Sequence, residues 1–260
     1  MKNILSGLAL SALMATSLGS LNAQSSKSFG EIFIPDNASV SIFSKHSFHD
    51  GSNGMYPGVI ATERENNKGY FHFATGSSWV GASDMQHIDG YVKVHHNDAF
   101  TFPVGANSKF RPVAISGAAK TSAAYYDTNP SFINESGTAK TALTIQRLTD
   151  QEYWDVDGEK ATQITLTWDV NSAIEALTDG DLDALAIVGW RNNQWEVIPS
   201  SIDRFTLDIA SSRAQMGLEI ADFSRGSIST NEAFRPSDYD YYTLAAINQS
   251  ALGKMQPEFD

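Results

Sequence analysis

The chain contains no cysteine in 260 residues. Disulfides, thiolate-bound zinc and thiol nucleophiles are therefore excluded, and the fold must be held by packing and hydrogen bonding. Sustained helical periodicity is missing too: no stretch keeps an apolar helical repeat beyond about two turns. Basic residues are scarce, 18 Lys and Arg against 30 Asp and Glu, for a formal net charge of −12. Such a chain is a poor partner for nucleic acid or anionic lipid, and its acidity reads first as solvation and colloidal stability. Chemical signatures are equally sparse. There is no H-E-x-x-H, no phosphate loop, and no G-x-S-x-G elbow; Gly76-Ser77 and Ser116-Gly117 lack that context. No pair of carboxylates is marked for glycoside hydrolysis.

What is present begins with a leader. Lys2, the apolar run Ile4 to Leu18 and the small-residue site Leu21-Asn22-Ala23 make residues 1–23 a secretory signal, with Gln24 as the new N-terminus. The apolar run is too short and too rich in Ser, Gly and Thr for a membrane span, and no second one follows. The expected product is a secreted, extracellular chain that does not span a membrane.

Hydrophobic residues make up 42% of the chain and aromatics 11%, enough for a sizeable core. They fall in short period-2 runs separated by Gly, Pro, Asn and Asp. Phe29 to Ile34, Ser39 to Ser44, Val59 to Thr62, Tyr70 to Ala74, Gly90 to His95 and Ala99 to Pro103 read as strands. So do Val113 to Ser116, Ala123 to Tyr126, Ala161 to Asp169, Leu185 to Trp190, Gln194 to Ile198, Phe205 to Ile209, Met216 to Ala221 and Tyr241 to Ile247. Ile174 to Leu177 fits one helical turn, and Arg191-Asn192-Asn193 a hairpin. The pattern predicts an all-β fold, a β-sandwich of antiparallel strands over residues 24–247, followed by a polar tail, 248–260. A soft boundary near 131–148 leaves one continuous sandwich and two stacked β units both open. No internal repeat is evident in the sequence.

The segments Asp89-Gly90-Tyr91-Val92, Phe100-Thr101-Phe102-Pro103-Val104-Gly105 and Phe110-Arg111-Pro112 follow one another closely. Downstream come Glu152-Tyr153-Trp154, Thr165-Leu166-Thr167-Trp168-Asp169, Leu185 to Trp190, and Gln194-Trp195. In this order they resemble an extracellular region of Bacteroidota surface proteins, often type IX secretion cargo associated with gliding or adhesion. The resemblance covers roughly Gly69 to Trp195. It implies an extracellular β architecture and carries no catalytic residues with it. Such regions usually precede a C-terminal sorting module, which is not recognised here; the expectation is either another route of secretion or a stand-alone subunit of an assembly.

His46, His49, His72, His87, His95 and His96 have no metal-ligand spacing and read as ordinary surface or cross-strand histidines. Asp179, Asp181 and Asp183 have the D-x-D-x-D start of a calcium loop but lack its Gly and final Glu, so a solvated turn competes with calcium; no other cofactor is suggested. Trp154, Trp168, Trp190 and Trp195 sit in strands and are expected in the core. Trp79 lies between Gly76 and Gly81 and is expected in a loop, as a contact for a glycan or a protein. Phe29, Ile32, Phe33 and Ile34 form an early apolar strand able to insert into the sheet of a neighbour, or to pair within its own fold. The expected function is a non-catalytic cell-surface structural or adhesive protein. It would assemble with itself or other surface proteins into a layer or filament by strand exchange. A carbohydrate-binding module, using Trp79 and the Tyr239–Tyr242 stretch, is the alternative.

Overall fold

The computed structural model describes residues 25–51, 54–65, 67–117, 120–133, 140–141 and 144–248. The leader, the tail beyond Asn248 and much of the 131–148 boundary lie outside these residues.

The described chain is built from strands, as its alternating pattern predicts, with one short helix, α1 (Ile174–Leu177). Its first part departs from the antiparallel expectation. Nine strands run through residues 26–94: β1 (Ser26–Phe29), β2 (Ile32–Ile34), β3 (Ser39–Ile42), β4 (Lys45–His49), β5 (Ile60–Thr62), β6 (Tyr70–Phe73), β7 (Ser78–Val80), β8 (Ile88–Asp89) and β9 (Tyr91–Val94). Among themselves they pair in parallel, in the orders β1-β4-β7, β2-β5-β8 and β3-β6-β9. The chain thus visits three sheets in turn and repeats the circuit three times, as a parallel solenoid does. A repeat does exist, in structure rather than in sequence.

The register explains why these residues stack. Ile32, Ile60 and Ile88 form one column, Val40, Phe71 and Val92 a second, and Ile42, Phe73 and Val94 a third. Each column is an apolar position of the period-2 pattern turned inward, so successive turns bury one another's side chains. Corners need backbone freedom. Gly90 has φ of 142°, and a Cβ there would lie 2.1 Å from Thr62 Oγ1. That hydroxyl instead accepts a hydrogen bond from the Tyr91 amide. Glycine is therefore required where β8 turns into β9.

From Phe100 onward the sheets are mainly antiparallel. β10 (Phe100–Phe102) is followed by the small hairpin β11 (Gly105–Ala106) and β12 (Lys109–Phe110), then β13 (Val113–Ile115) and β14 (Ser122–Tyr126). β15 (Lys140–Thr141), β16 (Ile145–Leu148), β17 (Tyr153–Asp157) and β18 (Ile164–Asp169) precede α1. After it come β19 (Leu185–Arg191), β20 (Gln194–Ile198), β21 (Ser200–Ile202), β22 (Phe205–Leu207), β23 (Met216–Ile220), β24 (Arg225–Thr230) and β25 (Tyr241–Ile247). One five-stranded sheet runs β10-β13-β18-β24-β21. A ten-stranded sheet runs β15-β20-β19-β25-β17-β14-β9-β6-β3, with β16 beside β25, so one solenoid sheet continues directly into the second half of the molecule. Val113, Leu166 and Ile228 of the smaller sheet share a single apolar cluster with Val92, Trp154 and Leu244 of the larger one. A second cluster, including Val188, Trp190, Trp195 and Ala245, lies between neighbouring strands of the ten-stranded sheet and packs with Ile145 of β16.

Candidate functional site

The two ends of the solenoid differ. At the third turn every sheet is continued. β9 pairs with β14, Ile88 bridges to Val104, and Val80 bridges to Ser211, with the Ser212 amide donating to the Trp79 carbonyl at 3.1 Å. At the first turn nothing among the described residues pairs with the outer edges of β1, β2 and β3. Ile32 and Val40, although they belong to inward columns, are each 40% exposed because no further turn covers them. Phe29, Phe33 and Phe43 are exposed around the same end. Neither β2 nor β3 carries a charged residue. Strand edges in natural proteins are ordinarily blunted by charge, proline or a covering element, and solenoid ends by a polar cap.

The segment singled out in the sequence therefore sits at this end. Its residues are docked in their own chain: β1 pairs with β4 and β2 with β5, Ile34 is buried, and Phe29 stacks on His49 with ring centroids 4.9 Å apart. Among the described residues nothing covers the outer edge or the rim of Ile32 and Val40, the latter a residue that the alternating pattern did not distinguish.

Trp79 is corrected by the structure. It lies on β7 rather than in a loop and is fully buried. The cause is its register: it stacks in the column of Ser26 and His46, between Phe48 and Phe110, and its indole donates to the Thr101 carbonyl at 2.6 Å. It offers no face to a ligand. Of the Tyr239–Tyr242 stretch, Tyr242 is buried, while Tyr239 lines a cavity of about 500 Å³ with Phe234, Asn231, Glu232 and Asp238. The Arg191 guanidinium lies 4.7 Å from the Tyr239 ring centroid, so that ring is already engaged.

The aspartates of the calcium-like stretch are occupied otherwise. Asp179 pairs with Arg147, and Asp181 caps a short helical turn by accepting from the Asp183 amide. Among the described residues no group of three or more His, Asp or Glu is placed to hold a metal ion.

Of the histidines expected at the surface or in cross-strand positions, His46, His87 and His96 are buried, and His46 is cross-strand, paired with Ser26 and Trp79. His46 lies between the hydroxyls of Ser26, 2.9 Å from Nδ1, and Ser28, 3.2 Å from Nε2, with Phe48 and Phe71 against its ring. A neutral imidazole satisfies both hydroxyls. Burial, with a smaller push from His49, lowers its pKa to about 4. The sign follows: the unfolded chain takes up this proton near pH 6.5, the folded chain only near 4. Stability is therefore lost as pH falls through that window, by roughly 3 kcal/mol from this group. Urea unfolding at pH 7 and pH 4.5 should show that loss in the wild type and a markedly smaller one in His46→Leu. An equal loss in both would remove His46 as the cause.

Sequence reasoning also missed a polar face on the ten-stranded sheet. Tyr70 and Tyr91 are paired in register, the hydroxyls of Tyr91 and Tyr126 are 2.9 Å apart, and Tyr126 stacks on Tyr153. Tyr91 donates to Asp155, which Lys68 also contacts at 3.3 Å, and Arg64 pairs with Asp89 while lying over the Tyr126 ring. Burial, then Asp157, raises the Asp155 pKa against the pull of Lys68 and Tyr91. These contacts tie the loop between β5 and β6 to β14 and β17, and so bind the solenoid to the rest of the molecule.

No family model, curated protein or solved structure matches the chain. No helix among the described residues is long and apolar enough to cross a membrane.

Proposed function

We propose that this is a non-catalytic structural or adhesive protein of the cell surface that assembles with itself through the strands of its first solenoid turn. The observation that carries the reading is the first turn, whose three outer strand edges have no partner among the described residues and whose apolar rim of Ile32 and Val40 is flanked by Phe29, Phe33 and Phe43. An added strand there would satisfy backbone groups and cover the rim in one step, by edge addition or by exchange of the β1–β2 segment. The leader-like N-terminus and the resemblance to extracellular Bacteroidota regions support secretion and a surface location. A carbohydrate-binding role would use the Tyr239 cavity, because Trp79 is not accessible.

Sedimentation velocity of the purified mature chain should show association that grows with concentration. Val40→Lys places a charge on the rim and Phe33→Lys one beside it, at side chains already 40% and 62% exposed, and each should leave a folded monomer with unchanged circular dichroism. A wild-type chain that stays strictly monomeric at high concentration overturns the proposal.

A further inference from the structure

β1 is held to its chain with little help from the core. Of its four residues only Ser28 is buried, so the strand adds no apolar side chain to the interior. Its backbone pairs in parallel with β4, from Ser26 opposite His46 to Phe29 opposite His49. Beyond that ladder the hold is made by two histidines. The hydroxyls of Ser26 and Ser28 bond the two ring nitrogens of His46, at 2.9 and 3.2 Å, and Phe29 stacks on His49. A strand fastened by polar contacts at the edge of a sheet has little burial to lose, and such elements open at a lower free energy than the core.

The fastening depends on a neutral imidazole. In that state one ring nitrogen donates to a hydroxyl and the other accepts from one, so both serines are satisfied. A protonated ring donates at both positions and carries its charge into a buried place. Its surroundings do not offset that charge. Phe48 of its own strand and Phe71 of β6 lie against the ring, and Trp79 of β7 is its register partner. Tyr70 and His72 alternate with Phe71 and fall on the other face of β6. Lys27 of β1 and Lys45 of β4 are exposed. Among the described residues His49 is the one titratable group that acts on His46, and it opposes the proton. The other buried imidazoles differ. His87 and His96 flank β8 and β9 of the third turn, where Asp84 and Asp89 favour a proton on the first and Asp98 on the second.

Moving β1 alone brings His46 to water. Ser26 and Ser28 cover the imidazole from the outer side of the sheet β1-β4-β7, and without them β4 becomes the end rung. The present end rung shows the consequence: Ile32 and Val40 belong to inward columns, yet each is 40% exposed because no further turn covers them. His46 on an end rung is solvated in the same way and takes up its proton as an ordinary histidine does. We propose that β1 is a strap latched to β4 by His46, and that acid opens this strap ahead of the rest of the chain. β1 is then a switch within its own chain, independent of any assembly, and acid makes the outer edge of β4 available.

Hydrogen exchange of the purified mature chain, corrected for the intrinsic amide rate at each pH, reads the opening of β1. With His46 titrating near 6.5 when β1 is open and near 4 when it is closed, the opening constant rises roughly 50-fold between pH 7 and pH 4.5. Corrected exchange in the peptide that covers β1 should accelerate by about that factor, whereas β9 and β14 keep their protection. His46→Gln offers the hydroxyls an amide that does not titrate, so β1 of that variant should exchange at the same corrected rate at both pH values. If β1 of the wild type exchanges equally at pH 7 and pH 4.5, or loses protection together with β9 and β14, the strap is overturned. If His46→Gln keeps the wild-type pH response, another group opens β1 and His46 is not its latch.

Discussion

Replacing Glu152 by alanine is expected to cost about 3–5 kcal/mol of folding stability, the penalty for leaving a buried charge without its partner. Arg111 and Glu152 are each 1% exposed. The guanidinium Nε donates to Glu152 Oε2 at 2.8 Å, one terminal nitrogen donates to Asp169, and the other to the Phe110 carbonyl at 3.0 Å. Burial opposes the charge on Arg111, but Glu152 and Asp169 more than offset it and raise its pKa. Tyr125 donates to the same Glu152 oxygen at 2.8 Å, while Oε1 has no partner. Without Glu152 the guanidinium keeps the Phe110 carbonyl and, of its two carboxylates, Asp169, which is 30% exposed, and the Tyr125 hydroxyl loses its acceptor. In a thermal scan the loss should appear as a fall in Tm of roughly 6–20 °C. The double variant Arg111→Met, Glu152→Leu should recover most of it, because an apolar pair removes the desolvation cost along with the attraction. A loss below about 1 kcal/mol in the single variant would mean the pair behaves as a solvated one.

That network shows what the sequence could and could not reveal. Phe110-Arg111-Pro112 stood out only as one of the segments that carry the resemblance, and nothing in it named a partner for the arginine. Its partner lies in another segment, at Glu152, and pairing across that separation is a property of the sheet order rather than of local spacing. Strand positions were far more legible. The expected strand Met216 to Ala221 is observed as Met216–Ile220, Gln194 to Ile198 as the same residues, and the helical turn Ile174 to Leu177 as α1. Asn192 and Asn193, both at positive φ, make the hairpin predicted between β19 and β20. Strand direction was not legible, because alternation is the same for parallel and antiparallel neighbours. The solenoid was hidden for a second reason: its turns have unequal lengths. Ser26, His46 and Trp79 of one column are 20 and 33 residues apart, and Ser39, Tyr70 and Tyr91 of another 31 and 21; only the column of Ile32, Ile60 and Ile88 keeps a constant spacing of 28, so the period is carried by one sheet and lost in the other two. At the first turn, alternation marked β2 as a half-apolar strand. Which half met solvent depended on where the solenoid ended.

Trp79→Ala should destabilise the fold by about 3–5 kcal/mol, as truncation of a fully buried aromatic does, and its effect separates a core residue from a contact residue. The indole fills the interior of the third solenoid turn, edge-on to Phe48 of the second turn and to Phe110 beyond it. Its Nε1 reaches the carbonyl of Thr101 on β10, in the five-stranded sheet. The backbone carbonyl of the same residue accepts from Ser212. Trp79 therefore joins the solenoid to the sheet that follows it, by packing and by one buried hydrogen bond. Trp79→Phe keeps most of the ring volume but leaves the Thr101 carbonyl without its donor, so it should cost less, about 1–3 kcal/mol for an orphaned buried acceptor. Urea midpoints for the two variants give the order wild type, Trp79→Phe, Trp79→Ala. If both variants instead kept wild-type midpoints and lost retention on a glycan or protein partner, Trp79 would be a surface contact after all. Should the expected order hold, variants of this residue report only on folding, and any search for a ligand-binding aromatic belongs at Tyr239.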